Sequence, residues 1–236
     1  MTEYKYNPWP LGKIPGHLRR PEIQMAMDAG YQFDDPRELV DIFENKVAEF
    51  AAAKYAIAVD CCTHAIELCL AWMELNQTLP NTIGIPEQTY VSVFQTCQRF
   101  RKTVLLPAAW DGKYQIIGTN IIDAAVQWVP DMYVAGTFHC ISFQIKKPIP
   151  IGRGGMILTD DEHAAEWLRL ARYDGRDLST PYDAPDHVKY HRGFHYYMTP
   201  EDAARGIMLM DNINWSGNAG GWQNYPPIQS IMHDTE

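Results

Sequence analysis

The sequence predicts an α/β fold, a mainly parallel sheet with helices on both faces. Three observations predict it. Strand-type runs alternate with stretches of helical period through most of the chain. The run KYAIAVD at 54–60 is of the buried type, so the sheet it joins has covered faces. Neither an internal repeat nor a low-complexity tract interrupts the alternation.

The elements follow in order. Residues 1–36 are rich in Pro, Gly and aromatics and read as an irregular arm with one short helix near 21–29. Pro36 suits the first position of the next helix, with Asp35 as its N-cap. Over 37–53, Leu39, Val40, Phe43, Val47, Phe50 and Ala51 recur at helical spacing. The strand 54–60 leads into a helix at 63–75, with Ala65, Ile66, Leu68, Cys69 and Trp72 on its apolar face. A strand at 82–85 ends at Pro86. A helix over 90–100 and a strand at 103–106 follow. Residues 116–123 read as a strand ending in an acid, and 138–143 and 154–159 as two more. An amphipathic helix spans 161–171 with Asp160 before it, and a last helix spans 200–210. The stretch from Asn214 (NWSGNAGGWQNYPP) is Gly-, Asn- and Pro-rich and reads as a loop or mobile tail. The division is thus an arm at 1–36, one domain at 37–212 and a tail at 213–236.

Composition narrows the function. With 46% hydrophobic and 21% charged residues the 236-residue chain is globular. Its formal net charge of -9 disfavours a nucleic-acid partner, and the basic groups at 17–20 and 99–102 are short and isolated. No apolar run approaches the roughly 20 residues that span a bilayer, and the first residues carry no apolar signal core. Five cysteines without a CxxC point to reduced thiols in a cytoplasmic protein.

Four segments carry chemistry. Ser142-Phe143-Gln144-Ile145-Lys146-Lys147 is followed by Gly152-Arg153-Gly154-Gly155. A lysine in a partly desolvated site is a nucleophile toward an aldehyde, and glycines let backbone pass close to a ligand. The plainer reading makes Lys146 and Lys147 surface lysines, and the segment alone favours it. Asp123 ends an apolar strand, where open parallel sheets place ligands; a helix N-cap is the equally common alternative. Cys61-Cys62-Thr63-His64-Ala65 is a strand-to-helix turn, whose free N–H groups suit a phosphate; Thr63 could equally be a simple cap. Tyr90, in Pro86-Glu87-Gln88-Thr89-Tyr90, could stack on a flat ring or serve as an ordinary aromatic.

Their order and spacing carry more than any one of them. Here the chain resembles the DegT/StrS family of pyridoxal phosphate (PLP)-dependent sugar aminotransferases, over about 37–212. Residues 43–60 (FENKVAEFAAAKYAIAVD) look like the family's helix and strand before its phosphate turn. Cys62-Thr63-His64-Ala65 sits where the family has Gly-Thr-x-Ala, and Thr89-Tyr90 matches its Thr-aromatic pair. Asp123-Ala124-Ala125 matches the core of Glu-Asp-x-Ala. Ser142-Phe143 with Lys147 matches Ser-Phe-x-x-x-Lys, and Gly152-Arg153-Gly154-Gly155 matches Gly-Glu-Gly-Gly. Residues 193–204 (GFHYYMTPEDAA) look like its Gly-x-Asn-x-Arg-Met-Thr motif.

The resemblance implies PLP fold type I, the aspartate-aminotransferase-like fold, and a homodimer with shared active sites. It implies transfer of an amino group, usually from glutamate, to a nucleotide-linked keto-sugar. Lys147 would carry PLP as a Schiff base and move the proton. Asp123 would hold the pyridine nitrogen, Tyr90 the ring face, and Cys62, Thr63 and Ser142 the phosphate side. Val126 stands where the family has a Gln contacting the cofactor's phenolic oxygen, which leaves its neighbour Gln127 for that contact. His195 and Tyr197 replace an Asn and an Arg of the cross-subunit motif, which leaves His195 to reach the partner subunit's cofactor. Cys62 replaces the phosphate-turn glycine, and most of the usual small domain is missing, so the resemblance is to a compact form.

Other readings compete. A catalytically impaired relative would keep the PLP fold and bind a nucleotide-sugar or a protein partner. A metal enzyme would use His187, His191 and His195, spaced i, i+4, i+8, although Gly193 interrupts the run and no HExxH is present. A nicotinamide dehydrogenase lacks its GxGxxG. A PLP-dependent sugar dehydratase would carry histidine where Lys147 stands.

Overall fold

The computed structural model describes residues 20–232, so residues 1–19 of the arm lie outside the described residues. Helix α1 (Glu22–Asp28) and helix α2 (Glu38–Ala51) open the described chain. Strand β1 (Tyr55–Val59) and helix α3 (Cys62–Leu75) follow, then β2 (Thr82–Pro86), α4 (Val91–Phe100) and β3 (Lys102–Leu106). Next come β4 (Tyr114–Gln115), β5 (Ile121–Asp123), β6 (Gln127–Trp128), β7 (Phe138–Ser142) and β8 (Gly155–Thr159). Helices α5 (Glu162–Ala171) and α6 (Pro200–Asn212), strand β9 (Gly217–Asn218), a 3₁₀ turn at Trp222–Asn224 and helix α7 (Ile228–Ile231) complete it.

The central sheet runs β1-β8-β7-β5-β4. Only β5 and β7 pair in parallel; β1–β8, β7–β8 and β4–β5 are antiparallel. A mainly parallel sheet is therefore a wrong expectation for these five strands. The reason is the connection 143–154. It holds no crossover helix, so β8 returns beside β7 as a hairpin must, whereas a parallel return needs a long crossover. Inserting β8 between β1 and β7 makes two of the four pairings antiparallel, the short β4–β5 hairpin makes a third, and β1, β5 and β7 still point the same way. A second sheet, β2–β3, is parallel.

Core residues alternate between the two faces, as the period of a strand requires. Ile57, Val59, Cys140 and Ile157 face α3, α4 and α5; Ala56, Ala58, Ile141, Met156 and Leu158 face α2 and α6. On the second side Gly206 of α6 lets that helix close on α2: a Cβ there would lie 2.6 Å from the Phe43 ring. The layers are tied by a buried ion pair. Arg172, after α5, binds Glu44 of α2 and the carbonyl of Ala58 in β1 at 2.7 Å, while Glu44 accepts the Ala58 N–H at 2.8 Å.

Four boundaries differ from the sequence reading. Helix α2 starts at Glu38, after a turn at Pro36-Arg37; the Asp35 carboxylate still accepts the Arg37 N–H at 2.9 Å. Asp161, not Asp160, precedes α5, and its carboxylate accepts the Ala164 N–H at 3.0 Å. Residues 116–123 are not one strand: 116–120 turn back at Gly118 (φ +88), so that β4 pairs with β5. The stretch after α6 is mostly loop, and it is pinned rather than loose: β9 pairs with β6, and Ile228 is buried.

Candidate cofactor site

Because β1, β5 and β7 share a direction, their C-terminal ends meet at one edge of the sheet. That edge presents Cys61-Cys62, Asp123 and Ser142, the location where open α/β sheets bind ligands. The surface cavity of about 610 Å³ lined by Trp72, Phe138 and Asp160 lies at the other edge and takes no part.

Asp123 is the anchor. It is 5% exposed, and burial raises its pKa; the Tyr114 hydroxyl, the Ala125 N–H and the charge of Lys147 oppose that rise. Tyr114 donates to Oδ2 at 2.6 Å and Ala125 N–H to Oδ1 at 3.0 Å. The Tyr114 proton is thereby committed, so the Thr89 hydroxyl, 2.6 Å away, must be the donor to Tyr114. Tyr114 was missed in the sequence because it falls just outside the strand read at 116–123; a hairpin turn at Gly118 is the signal that would have found it.

Lys147 is half-buried in the bend after β7, its N–H bonded to the Gln144 carbonyl at 2.8 Å. Its charge acts on both Asp123 and Cys62. Cys62 opens α3 with its thiol in the core, and burial holds that thiol protonated, with Asp123 adding to the shift. Helix α3 has no side-chain cap, so its own N-cap does not occupy the N–H groups of the first turn. Thr63 Oγ1 lies 2.7 Å from Ser92 Oγ. Ser142, 7% exposed, ends β7. Tyr90, 58% exposed, is the N-cap residue of α4. Gln127 pairs through β6 with β9, and its Oε1 is buried without a hydrogen-bond partner among the described residues.

His195 is not brought to this cluster. Its side chain is 66% exposed and its Nδ1 lies 3.1 Å from Asp174. His187 and His191 sit with it in the irregular stretch between α5 and α6, so their i, i+4 spacing does not build a shared face. The glycines of 152–155 also act differently from expectation. A Cβ on Gly155 would lie 2.5 Å from the Cys61 carbonyl carbon, and one on Gly154 3.0 Å from Met198. Those two glycines pack strand against turn instead of opening space for a ligand.

One group of three possible metal donors occurs among the described residues: Asp60, Cys61 and His64. It is an ion triad. Burial opposes protonation of His64, but hydrogen bonds to Asp60 and Cys61 prevail and raise its pKa to about 9. His64 Nδ1 lies 2.6 Å from one Asp60 oxygen and Arg153 binds the other at 2.8 Å. The His64 ring stacks on Tyr196 at 3.6 Å. Sequence reading passed over this triad because its third member lies across the sheet edge.

Residues 19–127 and 133–218 match the model of the DegT/DnrJ/EryC1/StrS aminotransferase family. The chain belongs to this family. Solved structures of similar fold include AtS13 from Actinomadura melliaura, with a TM-score of 0.67 and 17% identity over 82% of this chain and 64% of that one. The sugar aminotransferase CalS13 from Micromonospora echinospora gives 0.65 and 13%, covering 82% and 65%. GDP-4-keto-6-deoxy-D-mannose-3-dehydratase from E. coli, solved with hydrated PLP, gives 0.62 and 16%, covering 81% and 64%. Likenesses this distant establish the fold, PLP fold type I. The chain spans about 64% of the length of the first of these. No curated protein matches the sequence. In this family setting three features fit PLP: a desolvated carboxylate within the field of a lysine, an uncapped helix N-terminus beside a hydroxyl pair, and the orphaned Gln127 oxygen.

Proposed function

We propose that this chain is a PLP-dependent aminotransferase that moves an amino group, from glutamate, to a nucleotide-linked keto-sugar. The observation that supports the reading is the meeting at one sheet edge of Asp123 at the end of β5, the bend holding Lys147 after β7, and the start of α3 after β1. Bound PLP supplies an electron-withdrawing ring that eases removal of the proton beside the substrate's amine. Lys147 is the amine that holds the cofactor aldehyde and carries the proton. Asp123, braced by Tyr114 and Thr89, keeps the ring nitrogen protonated. The first turn of α3, Thr63 and Ser142 bind the phosphate, Tyr90 covers the ring, and Gln127 supplies an acceptor. In a homodimer His195 reaches toward the partner subunit's site.

The five free cysteines accord with a reducing, cytoplasmic setting, and among the described residues no helix is long and apolar enough to cross a membrane. One observation favours a second reading. Cys62 puts a buried thiol at the position of the family's phosphate-turn glycine, which suits an impaired relative that binds a nucleotide-sugar or a protein partner without turnover. Glutamate separates the two. Added to the PLP-loaded protein it should shift the cofactor's absorbance and release about one equivalent of 2-oxoglutarate per site. Bound cofactor that glutamate leaves unchanged would establish the second reading instead.

A further inference from the structure

The segment after α6 does not trail away; it returns across the candidate site and is fastened to the turns that build it. Ala219 N–H donates to the Val126 carbonyl at 2.7 Å, three residues beyond Asp123. Gly112 N–H donates to Gly220 at 3.0 Å, and Trp222 N–H to Trp110 at 3.1 Å. Gln88 donates to the Tyr225 carbonyl at 2.9 Å, and Ile228 N–H to Glu87 at 2.8 Å, just ahead of Tyr90. Tyr225 is thus itself an anchor, held through its carbonyl. Its ring packs against Trp110 at 5.7 Å, and Trp110 packs against Tyr114 at 4.9 Å, the residue whose hydroxyl holds Asp123. Trp110 is itself fixed by its indole N–H on the Gln88 carbonyl at 2.9 Å.

We propose that Tyr225 is a further residue of the cofactor site, a positioning residue that, with Trp110, closes the Asp123 end of the site against water. The inference rests on the PLP reading above. The half-buried phenol has its pKa pushed up to about 12 by burial, with the charge of Asp123 adding to the rise, which agrees with its standing beside that carboxylate. An aromatic wall there has two consequences. It keeps the surroundings of Asp123 low in dielectric, where a carboxylate–pyridinium pair is strongest. It also retards loss of the cofactor.

The test uses the full chain and three substitutions, Tyr225→Phe, Tyr225→Leu and Tyr225→Ala. Leu keeps apolar bulk should Ala fail to fold. Cofactor Kd is measured by equilibrium dialysis against PLP. In parallel, each PLP-loaded protein is reduced with borohydride, and iodide quenching of the attached, fluorescent cofactor is recorded. The second readout does not depend on affinity or activity, and a purely structural role would not move it in a variant with an unchanged circular dichroism spectrum. Phe should stay within about twofold of the parent. Leu and Ala should weaken PLP binding about tenfold, roughly the worth of one aromatic contact, and should at least double the quenching constant. Parent-like Kd and quenching in the Leu variant overturn the role of Tyr225 and leave the PLP reading standing. A parent protein that binds and traps no PLP overturns both.

Discussion

Asp123 and His139 show opposite responses to burial. Asp123 is held by two hydrogen bonds and a nearby lysine, so its burial prepares a site. His139, fully buried in β7, has no partner for either ring nitrogen among the described residues. Burial, helped by the charge of Lys113, pushes its pKa from 6.5 down to about 3. Between those values the unfolded chain takes up a proton that the folded chain refuses. Its contribution to stability is therefore complete above about pH 6.5 and is lost as pH falls toward 3. We expect His139→Leu to flatten the fall of stability with acid between pH 6.5 and 4, as read by urea denaturation; parallel curves for the two proteins would contradict it. At this scale Asp123 and Lys147 stood out in the sequence as candidates only through the order and spacing of several segments, since a strand-end acid and a Ser-x4-Lys spacing each fit an ordinary role when taken alone. Tyr114 and His139 did not. One needed the hairpin that brings it opposite Asp123, and the other needed knowledge of what surrounds it in space.

Elements were legible where one period ran uninterrupted. Helices α2, α3 and α5 carry clean apolar faces, and their edges moved by only one or two residues. Strand direction was not legible, since apolar runs look alike whichever way they point. The clue was the connection 143–154, too poor in helix formers to cross the sheet. Gly155 makes that hairpin possible by letting β8 start against the backbone of Cys61. Gly155→Ala should cost about 1–3 kcal/mol and weaken cofactor binding, because the strand can yield only by pushing on the first turn of α3. Chemical denaturation and PLP titration check the pair of effects; an Ala variant as stable as the parent would show that the contact relaxes freely.

For the whole molecule, one buried ion pair fastens α2, β1 and the end of α5 together. Glu44 and Arg172 side chains are 4% and 6% exposed. Removing one partner leaves the other charge buried and unbalanced, so Glu44→Gln should cost about 3 kcal/mol or more. Adding Arg172→Met to that variant should restore part of the loss; thermal denaturation decides, and a single variant within about 1 kcal/mol of the parent would refute the role. No local pattern announces this pair, whose members lie far apart in sequence. The return of the segment after α6 was hidden for a similar reason. Its Gly, Asn and Pro content describes a loop, and only the assembled sheet edge shows what that loop fastens to.

The account turns on Lys147 and Asp123 serving one bound PLP. Borohydride reduction of the PLP-loaded protein, followed by peptide mass spectrometry, tests this most directly. The account predicts a pyridoxyl mass on the peptide holding Lys147 and none on Lys147→Ala. In Asp123→Ala the same peptide should be labelled at far lower occupancy at equal PLP. A label on another lysine, or labelling of Lys147 indifferent to Asp123, would contradict it.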